Sequence, residues 1–360
     1  MKKIVTIIGA RPQFIKAAVL SKTILKYDEF EEVIVHTGQH FDENMSRIFF
    51  DQMQIPKPKY NLGIHTKHHA QMTGEMLVGI EEVLRKEQPH FVVVYGDTNS
   101  TLAGALAAAK WSCKLVHIEG GLRSFNQAMP EEINRIITDA VADLILCPTQ
   151  TALDNLIKEG LDKQGKTLRI CGDIMKDAVI NFKPTALKVS TILRDHPEIA
   201  KPFLLATIHR QENTSDKQRL AAIFNGLAAL QKEYTVVMPL HPRTKAQLQR
   251  FNLSPSIVLI NPVGYFDMLA LLDQCALVIT DSGGLQKEAY FSKKPCVIVR
   301  DQTEWIELVD GGFALLTGAD ASKITSAVKH FEQRELSYSN NLFGNEVGEK
   351  MYAAIKTLNV

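Results

Sequence analysis

The stretch V-I-T-D-S-G-G-L-Q-K-E at residues 278–288 has the pattern of a buried strand, a tight turn and a helix. Cys275–Thr280 is apolar and rich in β-branched residues, which predicts the strand, and Leu285 is predicted to begin the helix. Glycines in the turn let the backbone approach a ligand closely, and a helix start presents unpaired N–H groups to an anion. The turn residues Ser282, Gly283 and Gly284 are therefore predicted to bind a phosphate or diphosphate.

Glu288 follows about one helical turn after these glycines. A carboxylate there can accept hydrogen bonds from two vicinal hydroxyls, such as those of a ribose. The alternative interpretation is that the glycines only make a tight turn and that Glu288 is a solvated helix residue. This stretch alone does not distinguish a ligand-binding turn from an ordinary tight turn, so the rest of the chain has to be considered.

Composition limits the classes of function that the chain can have. The 360 residues are 45% hydrophobic and 22% charged, and 41 basic residues face 40 acidic ones. The length and composition predict a globular protein with two domains, and the near-zero net charge gives no reason to prefer nucleic acid or a membrane surface over a small ligand. The first nine residues are expected to form a strand rather than a signal peptide, and the five cysteines lack metal-type spacing. We expect buried thiols, a cytoplasmic location, no metal and no cofactor.

Short apolar segments alternate with helical patterns along the whole chain, which predicts doubly wound α/β domains with parallel sheets. The predicted strands are Ile4–Ile8, Glu32–His36, Phe91–Tyr95, Lys114–Ile118 and Asp143–Cys147, then Phe203–Ala206, Thr235–Met238, Ile257–Ile260, Ala276–Thr280 and Pro295–Val299. We expect an N-terminal Rossmann-like domain at 1–171, a C-terminal one at 172–342, and a final segment at 343–360. Ligands of such sheets bind outside the carboxyl ends of the strands, so the residues after each strand matter most.

The loop after the first strand carries two cations, Arg11 and Lys16. It matches neither G-x-G-x-x-G nor a Walker A sequence, which argues against a dinucleotide site or a P-loop. Arg11 at the loop and Lys16 one turn into the helix are candidates for anion binding. The alternative is a pair of ordinary surface cations.

Three carboxylates, Asp97, Glu119 and Glu131, follow predicted strands or open the helix after one. Asp97 and Glu131 have ordinary explanations, because Asp caps helices and acids are favoured in a first helical turn, whereas Glu119, before two glycines, is harder to explain by capping. Their common placement at one edge of one domain favours a single acidic site instead. The histidine-rich segment His65–His69 lacks ordered metal spacing, and we interpret it as a solvated loop.

The second domain presents hydrogen-bond donors at the matching edge. His209 and Arg210 follow one strand, and His241 follows the next. Together with the Ser282–Gly284 turn they predict a donor-rich half-site for a diphosphate.

Motifs along nearly the whole chain resemble those of the non-hydrolysing UDP-N-acetylglucosamine 2-epimerases, in the order that this family has them. They are G-A-R-P-Q-F-I-K at 9–16, G-D-T at 96–98, H-I-E-G-G-L-R at 117–123, P-E-E-I-N-R at 130–135, H-R at 209–210 and T-D-S-G-G-L-Q-K-E at 280–288. The resemblance implies a GT-B fold with a cleft between two domains, a final helix that returns to the first domain, and commonly a homodimer. It implies C2 epimerisation of a UDP-2-acetamido sugar through loss and re-addition of UDP.

The resemblance also implies roles for single residues. Asp97, Glu119, Glu131 and His209 match catalytic positions of the family. The residues expected to bind UDP or the sugar are Arg11, Lys16, Arg123, Arg135, Arg210, His241, Ser282, Gly283, Gly284 and Glu288.

Some positions depart from the pattern of the enzymes that use UDP-N-acetylglucosamine. Gln39-His40-Phe41 stands where those enzymes tend to have Gln-His-Arg, and Ile208–Asn213 departs from Gly-His-Arg-Arg-Glu. The chain is more similar to the branch that acts on UDP-2,3-diacetamido-2,3-dideoxy-glucuronic acid, which supplies surface polysaccharide. In that branch Lys67 or Arg123 is a candidate partner for the sugar carboxylate. A GT-B glycosyltransferase and a non-catalytic UDP-sugar-binding protein are the alternatives.

Overall fold

Two separate parallel β-sheets organise the chain in the computed structural model, which describes residues 1–39, 53, 55–66, 68–199, 202–338 and 341–359. By its contacts the chain forms two compact units. The first comprises residues 1–178 and 342–360, and the second comprises 179–341.

The first unit contains a seven-stranded parallel sheet in the order β3-β2-β1-β4-β5-β6-β7. Its strands are β1 (Lys2–Ile8), β2 (Phe30–His36), β3 (Tyr60–Asn61), β4 (Phe91–Tyr95), β5 (Lys114–Ile118), β6 (Leu144–Cys147) and β7 (Thr167–Ile170). Its helices are α1 (Arg11–Lys26), α2 (His69–Glu87), α3 (Asn99–Ala108), α4 (Pro130–Val141), α5 (Gln150–Lys158) and α6 (Ile174–Val189), which runs on into the second unit. Every residue of β4 is buried, as expected for a strand covered on both faces.

The second unit contains a six-stranded parallel sheet in the order β10-β9-β8-β11-β12-β13. Its strands are β8 (Phe203–Thr207), β9 (Thr235–Pro239), β10 (Val258–Ile260), β11 (Leu277–Thr280), β12 (Cys296–Ile298) and β13 (Ala314–Leu316). Its helices are α7 (Ile192–Asp195), α8 (Gln211–Thr214), α9 (Lys217–Leu230), α10 (Pro242–Phe251), α11 (Tyr265–Gln274), α12 (Gly283–Phe291), α13 (Ile306–Asp310) and α14 (Ala321–Glu332).

Both sheets reverse their strand order at one point. In the first unit the reversal lies between β1 and β4, and in the second it lies between β8 and β11. Connections leave these strand pairs toward opposite sides, which opens a crevice at the carboxyl ends where ligands bind in doubly wound sheets. The loops that leave β1, β4, β8 and β11 therefore define where a site is expected in each unit.

The predicted class, two Rossmann-like doubly wound domains, is confirmed by these two sheets. Ten strands lie within one or two residues of their predicted ends. Three were not predicted: β3, β7 and β13. Each of them is a short strand at the edge of its sheet, and half or more of its residues lie outside the buried core. Polar residues weaken the apolar pattern in β3 and β7, whereas β13 is apolar but only three residues long.

The last helix, α15 (Val347–Lys356), belongs to the first unit and packs on α1. Lys26 pairs with Glu349 at 2.7 Å, and the rings of Tyr27 and Tyr352 stack with their centroids 4.7 Å apart. Buried Val347, Met351 and Ile355 lie along one face of α15, which explains how this terminal helix is held. Among the described residues, no helix combines the length and the apolar composition needed to cross a membrane.

Candidate active site

Gln13 joins the two loops at the strand reversal of the first unit. Its side-chain oxygen accepts hydrogen bonds from the backbone N–H groups of Gly9 and Ala10 at 2.8 and 3.0 Å. Its amide nitrogen donates to the carbonyl oxygen of Tyr95 at 2.9 Å and to the Thr98 hydroxyl at 3.0 Å. Because Gln13 is buried, this bridge fixes the start of α1 against the end of β4.

Lys16 and Glu119 form a buried ion pair beside this bridge. Glu119 follows β5 directly and adopts a φ of +68°, which few residues other than glycine tolerate. The neighbouring Gly96 has a φ of +64°, and a Cβ at that position would lie 3.3 Å from Glu119 Oε2 and 3.5 Å from Lys16 Nζ. The structure thus brings two predicted site residues, Lys16 and Glu119, into direct contact.

Asp97 is held by a cation from α4. Arg135 Nη1 donates to Asp97 Oδ2 at 2.6 Å, and the Asn134 amide donates to the Asp97 backbone carbonyl at 2.9 Å. The Arg135 side chain is only 4% exposed, whereas that of Asp97 is 36% exposed. Arg135 was predicted to contact the ligand, but the structure places it where it orients Asp97.

Glu132, a neighbour of the predicted Glu131, has a structural role. Its buried carboxylate accepts from the backbone N–H groups of Ser124 and Phe125 at 2.8 and 2.9 Å and pairs with Arg135 at 2.8 Å. Burial acts to raise the pKa of Glu132, but the hydrogen bonds and the Arg135 charge favour its ionised form. Its pKa therefore lies below its ordinary value. Glu132 therefore fixes the loop that enters α4.

Glu131 is a partly buried residue in the first turn of α4. Within the part of the chain that the structure describes, its carboxylate makes no hydrogen bond or ion pair, unlike those of Asp97 and Glu119. Of the three predicted carboxylates, Glu131 is thus the one that no neighbouring cation holds, which leaves it available for proton transfer.

Arg123 lies in a buried ion network and not at a ligand surface. Its guanidinium pairs with Asp139 at 2.7 Å and with Glu159 at 2.7 Å, and it also donates to the Leu122 carbonyl at 2.8 Å. The side chain is 1% exposed. This geometry argues against the predicted contact with substrate, because the guanidinium donors already have protein acceptors.

Two other candidates of the first unit are Arg11 and Lys67. Arg11, which was expected in the loop, is instead the first residue of α1 and is partly exposed. Lys67, a candidate partner for a sugar carboxylate, lies outside the described residues, as do His40 and Phe41 of the loop after β2.

Asp281 organises the site of the second unit. This fully buried carboxylate accepts from the backbone N–H of His209 at 3.0 Å and of Arg210 at 2.9 Å, and from the Asn213 amide at 3.1 Å. It follows β11, whereas the groups that it binds follow β8, so it joins the two loops at the strand reversal. Asp281 was not among the predicted site residues.

The His209 ring lies between a carboxylate and several cations. His209 Nδ1 is 3.5 Å from Asp281 Oδ1, the ring stacks on His241 with centroids 5.2 Å apart, and Arg243 donates to the His209 carbonyl at 3.1 Å. Burial lowers the pKa of His209 and the charges of Arg210 and Arg243 act in the same direction, while Asp281 opposes them. The ring is therefore mainly neutral at pH 7.

The Ser282–Gly284 turn opens α12, which begins at Gly283 and not at the predicted Leu285. Ser282 is the N-cap, and its hydroxyl accepts from the Leu285 N–H at 3.5 Å, so both glycines belong to the first helical turn. A Cβ on Gly283 would lie 3.5 Å from Trp305 Nε1, 3.6 Å from Glu304 Oε2 and 3.7 Å from Arg210 Nη2. The helix start and the Arg210 guanidinium thus meet at one place, an arrangement suited to an anion.

Glu288 lies in α12 and is 8% exposed. Burial raises the pKa of Tyr265 well above its ordinary value, and the neighbouring Glu288 carboxylate acts in the same direction. This places the predicted ribose-binding carboxylate beside a buried tyrosine hydroxyl rather than on a solvated helix face.

Several functional residues were missed from sequence because their partners are distant along the chain. Gln13, Asp139 and Asp281 each bind loops more than ten residues away. Gln13 and Asp281 had one available signal, their position within the quoted motifs, and Asp139 lies outside those motifs. In the described part of the chain, no three His, Cys, Asp or Glu side chains are grouped as metal ligands.

Comparison with protein families gives a match over most of the chain. The family model described as UDP-N-acetylglucosamine 2-epimerase matches residues 22–356. The UDP-2,3-diacetamido-2,3-dideoxy-D-glucuronate 2-epimerase of Pseudomonas aeruginosa is 51% identical over 343 residues, covering 95% of this chain and 96% of that protein. The UDP-N-acetylglucosamine 2-epimerase of Methanocaldococcus jannaschii is 38% identical, with 97% of each chain covered.

Solved structures agree with this result. The Methanocaldococcus jannaschii UDP-GlcNAc 2-epimerase in complex with UDP-GlcNAc and UDP superposes with a TM-score of 0.90 at 38% identity, covering 99% of both chains. The Neisseria meningitidis UDP-GlcNAc 2-epimerase bound to UDP-GlcNAc gives a TM-score of 0.88 at 27% identity, covering 99% of this chain and 100% of that one.

Proposed function

The chain belongs to the UDP-N-acetylglucosamine 2-epimerase family, and we propose from this premise that it inverts C2 of a UDP-2-acetamido sugar without hydrolysing it. The main support for the proposal is that the two units present different functional groups. The first presents Asp97, Glu119 and Glu131 at one sheet edge, and the second presents an anion-binding helix start beside His209 and Arg210.

The reaction begins with departure of UDP from C1. The C2 proton is weakly acidic because no carbonyl carbon of the ring adjoins it, so breaking of the C1–O bond must run ahead of proton removal. The electron pair of that bond leaves with the diphosphate, and the α12 N-terminus, Arg11 and Arg210 are proposed to stabilise its charge. His209, mainly neutral at pH 7, is proposed to donate a hydrogen bond to it.

Proton transfer at C2 is the task of the carboxylates. One of them removes the proton as the C1–C2 double bond forms, giving a 2-acetamidoglucal and UDP. A proton then returns to the opposite face of C2, and the diphosphate oxygen re-adds to C1. We assign one of these transfers to Glu131, which no cation holds, and place Asp97 and Glu119, oriented by Arg135 and Lys16, as the groups for the other face.

The substrate that we propose is UDP-2,3-diacetamido-2,3-dideoxy-glucuronate. The support is the 51% identity to the Pseudomonas aeruginosa enzyme of that name, against 38% to the Methanocaldococcus jannaschii enzyme named for UDP-N-acetylglucosamine. With this substrate the product would supply a mannuronic acid derivative for surface polysaccharide such as lipopolysaccharide.

Comparison of the two nucleotide sugars tests the proposal. Purified protein is incubated with each UDP-sugar, and proton NMR follows the formation of the C2 epimer. The expected result is an intact epimeric UDP-sugar, with a larger kcat/KM for the glucuronate derivative and no turnover by Glu119→Gln. Preference for UDP-N-acetylglucosamine would contradict the substrate, and release of free sugar would contradict non-hydrolysing chemistry.

We also propose a homodimer in the cytoplasm. The homodimer follows from the resemblance to the family. The cytoplasmic location is supported by the five cysteines, all of which are free, and by burial that raises the pKa of thiols such as Cys275, to about 12. Light scattering during size-exclusion chromatography would test the dimer, and a mass of 40.2 kDa in solution would contradict it.

A further inference from the structure

The His117 ring is buried between the two turns that carry the site carboxylates. His117 and Asp139 are both fully buried. His117 Nδ1 is 2.7 Å from Asp139 Oδ1, and Nε2 is 2.8 Å from the carbonyl oxygen of Gly96. Gly96 directly precedes Asp97, and His117 stands two residues before Glu119, so the ring links the end of β4 to the end of β5.

The direction of these hydrogen bonds fixes the charge of the ring. A carbonyl oxygen only accepts, so Nε2 must carry a proton and donate to Gly96. Asp139 also accepts from the Arg123 guanidinium at 2.7 Å and from the Gly121 N–H at 3.1 Å, which favours its ionised form. An ionised Asp139 accepts from Nδ1 as well, so both ring nitrogens donate and the ring is an imidazolium.

The electrostatics of Asp139 agree with this assignment. Burial acts to raise the pKa of Asp139, but the charges and hydrogen bonds of His117 and Arg123 outweigh it, and the pKa lies below its ordinary value. Other charged groups nearby are Glu159, which pairs with the far side of Arg123, the Lys16–Glu119 pair beyond Gly96, and Lys166, which interacts with the Asp139 charge.

Two glycines, Gly120 and Gly96, leave space around the His117–Asp139 pair and the neighbouring turn. A Cβ on Gly120 would lie 2.6 Å from Asp139 Oδ1 and 3.0 Å from His117 Nδ1, so only glycine leaves space there. On the other side, Gly96 lies against the Lys16–Glu119 pair. Movement of the Gly96 carbonyl would therefore displace both Asp97 and the surroundings of Glu119.

We propose that His117 is a positioning residue, held as an imidazolium by Asp139, which fixes the Gly96 carbonyl and with it the turn that carries Asp97. The role in turnover rests on the proposed epimerase function, whereas the charge of the ring does not. An imidazolium is suited to this task because a neutral ring would have to leave one of its two acceptors without a proton.

Nitrogen NMR of histidine-labelled protein tests the charge of the ring. The His117 signals are assigned from their loss in His117→Gln. We expect both ring nitrogens to carry protons in the unmodified protein, and one of them to lose its proton in Asp139→Asn. An unprotonated Nδ1 in the unmodified protein at pH 7 would overturn the proposal.

Kinetics of the same variants test the positioning role. Because small displacements of catalytic groups reduce rates by up to about 100-fold, Asp139→Asn and His117→Gln should lower kcat by roughly 10- to 100-fold with little change in KM. The matched control is Asp143→Asn, which removes a carboxylate that pairs with Lys114 and accepts from the Leu115 N–H at the opposite end of β5. We expect its kcat to be unchanged.

Two results distinguish failure of the positioning role from failure of the proposed epimerase function. A folded Asp139→Asn protein whose kcat lies within about twofold of that of the unmodified protein would overturn the positioning role. Displaced catalytic groups should lower kcat by much more than this. If the unmodified protein turned over no UDP-2-acetamido sugar, the proposed function would fail and the positioning role with it, while the NMR result would still report the charge of His117.

Discussion

Arg123 shows, at the scale of single residues, that a cation in a motif can serve the fold rather than the ligand. It neutralises Asp139 and Glu159, which are 16 and 36 residues away along the chain. Its removal would leave Glu159 without its cation and the fully buried Asp139 with His117 as its remaining ion-pair partner.

Arg123→Ala should therefore lower the free energy of unfolding by about 3–5 kcal/mol, the usual cost of breaking a buried ion pair. Urea denaturation followed by circular dichroism measures this. Arg169→Ala, which removes an exposed arginine of β7, is the matched control and should change stability by less than about 0.5 kcal/mol. A small loss of stability with a large increase in KM would instead indicate that Arg123 binds the substrate.

Glu304 gives the second unit a dependence of stability on pH. Its side chain is 6% exposed and pairs with Arg300 at 2.8 Å. Burial acts to raise its pKa, but the Arg300 guanidinium outweighs this effect and lowers the pKa of Glu304 to about 2. Because the folded pKa lies below the unfolded one, the stabilisation is complete above about pH 5 and is lost as the pH falls toward 2.

Glu304→Gln should accordingly lose about 1–3 kcal/mol of stability at pH 7, and the difference from the unmodified protein should shrink between pH 5 and pH 3. Urea denaturation across this range is the measurement. A difference that stays constant or grows as the pH falls would contradict the assignment of the low pKa to Glu304.

At the scale of elements, Asp281 joins the loops that follow β8 and β11. The neutral variant Asp281→Asn retains an acceptor oxygen but loses the charge that faces His209 and one of the two oxygens that accept from the loop. Since Asp281 holds the backbone of His209 and Arg210, which are proposed to bind the diphosphate, we expect UDP to bind roughly tenfold more weakly, a loss of about 1.4 kcal/mol.

Isothermal titration with UDP measures this effect. Asp320→Asn is the matched control, because Asp320 also accepts from two backbone N–H groups but caps the exposed start of α14. Equal UDP affinity for Asp281→Asn and the unmodified protein would show that Asp281 stabilises the unit without shaping the site.

The strands could be predicted from the sequence more completely than the contacts within the site. Nine of the ten predicted strands are mainly buried apolar segments, and the edge strand β10, with one buried residue, is also apolar in sequence; β3, β7 and β13 are short and lie largely outside the buried core. Asp97, Glu119 and His209 were predicted because they follow strands. The partners that set their roles, Arg135, Lys16 and Asp281, depend on contacts between distant segments that no local pattern encodes.

At the scale of the whole molecule, the proposed reaction is divided between the two units. The carboxylates proposed to move protons belong to the first unit, and the groups proposed to bind the diphosphate belong mainly to the second. The two kinds of variant should therefore have separable effects.

Asp97→Asn and Glu131→Gln should abolish measurable turnover, a loss of at least about 100-fold, while leaving the affinity for UDP within about threefold. Arg210→Ala should instead weaken UDP binding by roughly 10- to 100-fold, since it removes a charged donor beside the α12 start. Titration with UDP and steady-state rates on the same preparations make the comparison. Near-normal rates in the carboxylate variants would refute their catalytic roles.

The most direct test of the central claim is proton NMR of the reaction in D₂O with UDP-2,3-diacetamido-2,3-dideoxy-glucuronate. Removal and return of the C2 proton through protein carboxylates that exchange with solvent predicts an intact UDP-sugar of inverted configuration with deuterium at C2. Inverted product that retains its original C2 proton, or free sugar accumulating together with UDP, would contradict the account.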